Sequence, residues 1–388
     1  MLETRYPRFG ALYHNELEKL WAHRVRPLFI AFLVIVVGGS LLTYHSYMAS
    51  KHQTQVTIQS FQGQVARLRR QESRATGKQR ARIKRNLQQT EKILAQVRSE
   101  GPGVVNLSKQ LHSVEQSLRQ TPKAQRGPAL EEIAVDRSAL AHGIKHENPY
   151  AGGGLKLAGE LFSGGAMILF GLIAAGLASD RISSELEGGT WGVLLLHAPR
   201  RIQVYWSKLA ASLTLIWGFM AASGVGLGIL TGLLMGFGFA NFPLVVGLRL
   251  KAASQPGYPL RIPPQTFHLM SQWSYDALSL VLAMVAVGVL VTIFLALSLL
   301  TRSTVFSLII GAVLVISGML AGLVTHAAGW LAIIDPAVYM PLMGVWTGNL
   351  ALQYNLVSLN LAQGLVVLAC WAFVAIVASM SLARRMDL

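Results

Sequence analysis

Residues 277–301 read ALSLVLAMVAVGVLVTIFLALSLLT, without one Asp, Glu, Lys or Arg. A membrane helix needs about 20 mostly apolar residues, because the hydrocarbon core is about 30 Å thick and a helix rises about 1.5 Å per residue. Each charge at the bilayer centre costs roughly 2.5–3.5 kcal/mol on insertion scales, so a run this long without one reads as a span. Five more charge-free runs lie outward from it: Pro27–Ser50, Leu161–Ser179, Leu209–Leu248, Ser303–Ile334 and Pro336–Ala383. Hydrophobic residues make up 52% of the 388-residue chain and charged residues 13%, against roughly 25% charged in a soluble domain. The sequence therefore predicts an all-α integral membrane protein with six transmembrane helices, at 28–48, 157–178, 209–235, 277–300, 304–324 and 361–382. The first apolar run is too long for a signal-peptide core and follows a helix-like segment, so it is expected to stay in the protein.

Between the spans the pattern changes. Residues 1–27 place Phe9, Tyr13, Leu17, Leu20, Trp21 and Val25 at helical spacing. An apolar face with a Trp and a cationic end predicts an N-terminal interfacial helix, with Pro27 as the bend into the first span. Residues 49–156 form a helical insert. Ile83, Leu87, Thr90, Leu94 and Val97, then Leu107, Leu111, Val114 and Leu118, fall on seams of paired helices. Gly101-Pro102-Gly103 and Thr121-Pro122 break those runs, giving two or three partly coiled helices. Residues 236–276, with five prolines, read as an outer loop, and 325–360 as short re-entrant helices in the outer leaflet. Gly224, Gly228 and Gly232 in the third span, and Gly318 with Gly322 in the fifth, recur every four residues, a spacing that lets helices pack closely.

Orientation follows from Lys and Arg in the short loops. With the N-terminus inside, the inner segments hold Arg5, Arg8, Lys19, Arg24, Arg26, Arg181, Arg200, Arg201, Lys208, Arg302, Arg384 and Arg385. The short outer segments hold Arg249, Lys251 and Arg261, with Lys156 at a border. Both termini, including the tail 383–388, are then cytoplasmic, and the insert is extracytoplasmic. The net charge of +16 comes largely from residues 51–149, where 18 Lys/Arg face 8 Asp/Glu. That stretch lacks the interleaved aromatics that stack bases, so a nucleic-acid partner is not expected. The single cysteine, Cys370, excludes an intrachain disulfide and a Cys-rich metal site. No phosphate-binding loop and no metal-spaced His/Asp/Glu set occurs, so no cofactor is expected in this chain.

The inner segment 179–208 carries the functional signal. Residues 178–201 read ASDRISSELEGGTWGVLLLHAPRR. Ser184 with Glu187 offers a capping box, and Gly188-Gly189 should end the helix leaving the second span. Thr190 then caps a short helix bearing Val193, Leu194 and Leu196, which Pro199 ends, with Arg200-Arg201 at headgroup level. A short amphipathic helix below the membrane suits docking into a cytoplasmic partner. The plainer alternative for Glu185 and Arg200 is an exposed loop pair worth little.

This stretch resembles the permease subunits of ABC-2 type transporters. Their corresponding loop reads approximately D-x-x-S-S-E-x-x-x-G-T-x-x-x-L-L-x-x-P-x-x-R, matched here by Asp180, Ser183, Ser184, Glu185, Gly189, Thr190, Leu194, Leu195, Pro199 and Arg201, with Lys208 as the basic residue opening the next span. The chain departs from the pattern at Gly188, where a charged residue is frequent, and in its long basic insert. The resemblance implies a non-catalytic permease subunit of an ATP-driven exporter in a bacterial or archaeal plasma membrane. ATP and magnesium would sit on a partner cytoplasmic ABC ATPase, beside a second permease subunit, the same or related. It implies ATPase coupling through Asp180, Ser184, Glu185, Gly189, Thr190, Leu194, Pro199, Arg200 and Arg201. The near absence of intramembrane charge points to an apolar or amphipathic cargo. The competing expectation is a membrane sensor or scaffold that binds envelope ligands through residues 51–149. An intramembrane enzyme has no polar catalytic set within the spans to support it.

Overall fold

The computed structural model describes residues 9–100, 105–122, 126–144, 146–147, 153–190, 201–252, 260–261 and 267–385. The protein is helical, and its first helical element is its longest. α1 (Phe9–Leu33) passes into a π-helical turn (Val34–Gly38) and on into α2 (Gly39–Arg74). The helix does not end at Pro27: this proline lies inside α1. Residues 9–27 are therefore continuous with the helix of the first expected span and do not form a separate element. A proline inside a membrane helix is tolerated where neighbours and local helix adjustments re-satisfy the freed carbonyl, and the π turn two helical turns on is such an adjustment.

The insert is two antiparallel hairpins. α2 returns as α3 (Gly77–Glu100), joined by Val65, Leu87 and Leu94. α4 (Leu107–Gln120), capped by the Asn106 side chain, packs on α5 (Gly127–Ala141), which has Pro128 in its first turn. Short strands β1 (Val105–Asn106) and β2 (His146–Glu147) close its base.

The second span divides. α6 (Gly153–Ser163) and α7 (Met167–Ala178) are separated by Gly164-Gly165-Ala166, where one continuous helix over 157–178 was expected. Paired glycines weaken the helix there. The exposed end of α6 finds a neighbour: a β-carbon at Gly344 would lie 2.5 Å from the Ser163 carbonyl oxygen, so only glycine admits this approach. α8 (Ser183–Glu187) follows, then α9 (Arg201–Met235). The glycines of α9 face α6. Gly228 lies 3.5 Å from the Ala158 β-carbon by the same construction, Gly224 meets the Phe162 ring, and Gly154 lies on the backbone of Gly228 and Gly232. Gly232 also borders the Phe237 ring.

The proline-rich outer segment is not loop throughout. β3 (Pro243–Val246) pairs antiparallel with β6 (His268–Ser271), and β4 (Lys251–Ala252) with β5 (Leu260–Arg261). α10 (Gln272–Thr301) is the centre of the bundle. Leu290–Leu295 are all buried, the mark of a helix enclosed on every side. α11 (Thr304–Ile334) runs ten residues past the expected end of the fifth span, because the first stop signal is Asp335-Pro336. The chain then makes a 3-10 turn (Pro336–Tyr339), α12 (Leu342–Trp346) and α13 (Asn349–Tyr354), buried against α14 (Leu361–Arg385) and α10. At Gly318 of α11, a β-carbon would meet the Ala337 carbonyl at 2.7 Å; Gly322 lies outside the residues described for packing.

Among the described residues, five helices are long and apolar enough to cross a membrane: Phe9–Ala49, Met167–Glu187, Ile202–Met235, Gln272–Thr301 and Leu361–Arg384. The sixth expected span falls on α11, whose fully described apolar stretch is Thr304–Gly318. Leu42, Leu233 and Phe373 on three of these helices, and Phe306 on α11, are 64–74% exposed. Apolar surface on that scale fits lipid contact rather than water.

Candidate coupling site

Three segments distant in sequence meet at one end of the bundle: α1, the stretch 179–187, and the start of α9. At their junction is Lys208, two turns into α9 and fully buried. An ammonium taken out of water costs several kcal/mol unless it is paired and hydrogen-bonded. Lys208 Nζ donates to Glu16 Oε2 at 3.1 Å and to Glu185 Oε1 at 2.7 Å. Glu16, 3% exposed on α1, also takes Lys19 Nζ at 3.3 Å and Arg181 Nη2 at 3.5 Å. Lys19 Nζ approaches Glu185 Oε1 at 3.8 Å. Two turns along α1 from Glu16, Arg24 donates to Asp180. Three carboxylates thus face four cations, and the cluster pins the link after α7 to both α1 and α9.

A second set of bonds ties the same link to α10 and α11. The Ile182 and Ser183 N–H groups donate to Ser298 Oγ at 3.1 and 2.9 Å. Glu187 accepts from the Thr304 N–H at 2.9 Å and from its hydroxyl at 2.7 Å. That carboxylate caps the first turn of α11, where unpaired N–H groups and the helix dipole favour an anion. The capping box expected between Ser184 and Glu187 therefore does not form. Ser184 lies inside α8, and its hydroxyl bonds back to the Asp180 carbonyl instead. Gly189 takes φ +67°, the left-handed position that ends a helix, and Thr190 Oγ1 donates to the Glu185 carbonyl at 3.4 Å.

The structure thus brings Asp180, Glu185 and Lys208 into one cluster and places Ser184, Gly189 and Thr190 at its edge. Leu194, Pro199 and Arg200 lie outside the described residues. Arg201 opens α9, with its side chain outside them too. Glu16, Arg24, Arg181, Ser298 and Thr304 were not singled out from the sequence. For Glu16 a signal existed: Glu16, Leu20 and Arg24 recur every four residues, on one helical face. Leu20 is fully buried while Trp21 is 63% exposed, so that face turns inward and the Trp side does not.

Three buried polar atoms of this site have no hydrogen-bond partner among the described residues: Asp180 Oδ1, Arg181 Nε and Glu185 Oε2. The cluster therefore retains capacity for further polar contacts when its surroundings shift.

A family model described as ABC-2 family transporter protein matches residues 11–333. No curated protein and no solved structure gives a significant match. The matched span begins ahead of Glu16 and ends at the close of α11, so it contains every residue of the charge cluster.

Proposed function

The chain belongs to the ABC-2 transporter family, and on that premise we propose that this multi-pass membrane permease subunit works in export, driven by a separate cytoplasmic ATPase. The observation that carries the proposal is the fully buried Lys208 held between Glu16 and Glu185. A solvated inter-helix loop has no need of it. A loop that must pass force from a cytoplasmic partner to several helices does.

In this reading the ATPase docks on the segment that includes Thr190, Leu194 and Pro199. Closure of the ATPase on ATP pushes that segment. The push reaches α1 and α9 through Lys208 and Arg24, and α10 and α11 through Ser298 and Thr304. Two permease subunits, the same or related, enclose the pathway. The cargo is apolar or amphipathic, and both chain termini face the cytoplasm.

The test is purification of the full chain from its native membrane in mild detergent. The expected result is a co-purifying chain with a phosphate-binding loop, whose ATP hydrolysis rises on association. Glu185→Gln should weaken that stimulation severalfold while the two chains still co-purify. No co-purifying ATPase, together with loss of function only on deletion of residues 51–149, would replace the proposal with the sensor reading.

A further inference from the structure

The break between α6 and α7 opens a cavity of about 650 Å³, within the range that holds drug-sized molecules. Its wall runs from the end of α6 across α11 to the 3-10 turn and α13, one 12-residue helix (α7) away from the charge cluster. At roughly 1.5 Å per residue that separation is about 18 Å. Interrupted membrane helices recur at substrate sites, because their freed backbone faces a cavity instead of lipid.

The lining is mostly apolar, with Met167 and Met340 supplying soft, polarisable surface and Tyr354 an aromatic edge. Among the described lining residues Glu160 carries the only formal charge, and none is Lys, Arg or His. Among the described residues Glu160 has no hydrogen bond and no ion pair. A second carboxylate stands on the same wall. Asp276 packs on α6 at Gly159, where a β-carbon would collide with its Oδ1. Asp276 Oδ1 accepts from Gln272, while its buried Oδ2 has no partner. Glu160 and Asp276 thus act on each other across this wall, and neither forms an ion pair among the described residues.

We propose that this cavity binds an organic cation with an apolar body, its positive centre on Glu160 and its hydrophobic part against Met167 and Met340. The proposal builds on the permease reading, for which it names the cargo class, but binding itself needs no ATPase. An opposite charge is what the Glu160 carboxylate, exposed at the cavity and without an ion pair among the described residues, lacks. The methionines and Tyr354 accommodate a delocalised cation at little cost in shape.

The probe is tetraphenylphosphonium, with tetraphenylborate as its anionic counterpart of the same shape. Binding of each is measured on the full-length chain alone, in nanodiscs. Expected is saturable phosphonium binding that weakens about tenfold in Glu160→Gln, the scale of one charge contact, and is largely kept in Glu160→Asp. Glu160→Lys should lose phosphonium and gain borate. Gln353→Trp, at the cavity rim, should block both. Phosphonium competition by phosphatidylethanolamine in the disc would identify a lipid ammonium as an occupant; its absence would leave soluble cations. Unchanged phosphonium binding in Glu160→Gln overturns the proposal, as does an equal loss of both probes there. Because no ATPase is present, failure here leaves the coupling proposal standing, and failure to find an ATPase leaves this site standing.

Discussion

Lys208 shows what a single buried charge does in this protein. Its ammonium is enclosed with two carboxylates, so removing it leaves Glu16, itself almost fully buried, with only the longer contacts to Lys19 and Arg181. Breaking such a pair from one side typically costs 3–5 kcal/mol, whereas replacing the set by apolar groups is often neutral. Lys208→Met is therefore expected to destabilise by roughly 3–5 kcal/mol. Adding Glu16→Leu and Glu185→Leu should restore much of the melting temperature in detergent without restoring ATPase coupling. Failure of the triple variant to recover stability would mean that the cluster matters for shape, not for charge balance. Asp335 makes a different residue-scale case. Burial pushes its carboxyl above the ordinary 3.8, and hydrogen bonds from Ser317 and the Ala337 N–H only partly offset that. A raised folded value means that the native state holds its proton more tightly than the unfolded chain. Stability from this group is thus full below about pH 3.8 and lost as pH rises through the folded value. Asp335→Asn keeps the cap and should be at least as stable at pH 7, with the advantage vanishing in acid. Asp335→Ala should lose about 0.5–2 kcal/mol of capping. Thermal melts across pH decide both. Glu185 was legible in the sequence as a residue of the inner link, because it sits in a recognisable pattern. Its partner Glu16 was not, because it lies 192 residues from Lys208, and a helical face does not say whether it turns toward lipid or toward protein.

At the scale of elements, charge-free runs located the apolar helices but not the points where they break or continue. The run 161–179 contains Gly164-Gly165, which local propensity alone leaves inside a helix at modest cost. The break appears only once Gly344 is brought against the Ser163 carbonyl. Conversely, Pro27 looked like a bend and is carried through, since the helix beyond it packs as a continuation. The strands β3 and β6 were hidden by the prolines of this segment; Pro243 stands at the first position of β3, where a missing donor is tolerated. The crossing of α6 and α9 gives the sharpest element-scale prediction. A β-carbon at Gly154 would strike the Gly228 carbonyl and lie 2.7 Å from the Gly232 nitrogen, backbone that cannot swing aside. Gly165 has nothing within 4 Å of such an atom and a negative φ. Gly154→Ala should therefore destabilise by roughly 1–3 kcal/mol through overpacking. Gly165→Ala should be neutral or stabilising by roughly 0.4–1 kcal/mol, because alanine narrows the unfolded ensemble. Equal melting temperatures for the two variants would contradict this account of the crossing.

On the scale of the whole molecule, the helix from Phe9 to Arg74 connects the charge cluster to the basic hairpins as one piece. Beyond Met48 it runs 26 residues further, roughly 40 Å at about 1.5 Å per residue. A helix continuous through its π turn would carry a tilt at Glu16 toward the tip of the hairpin, so the insert should move whenever the link 179–187 moves. This geometry requires the cluster and the insert to lie on opposite sides of the membrane, as the asymmetry of short-loop cations predicts. The chain's single cysteine makes the test direct. Cys370 is exposed, and Cys370→Ser supplies a cysteine-free background. Gln89, on α3, and His23, on α1, are both exposed. In intact cells a membrane-impermeant maleimide should label Gln89→Cys and spare His23→Cys. After permeabilisation both should react. Labelling of His23→Cys in intact cells would invert the molecule, put the charge cluster out of reach of any cytoplasmic ATPase, and remove the coupling role from Lys208. The expected pattern leaves a cytoplasmic partner a continuous mechanical route to the insert, the helix that begins beside Glu16.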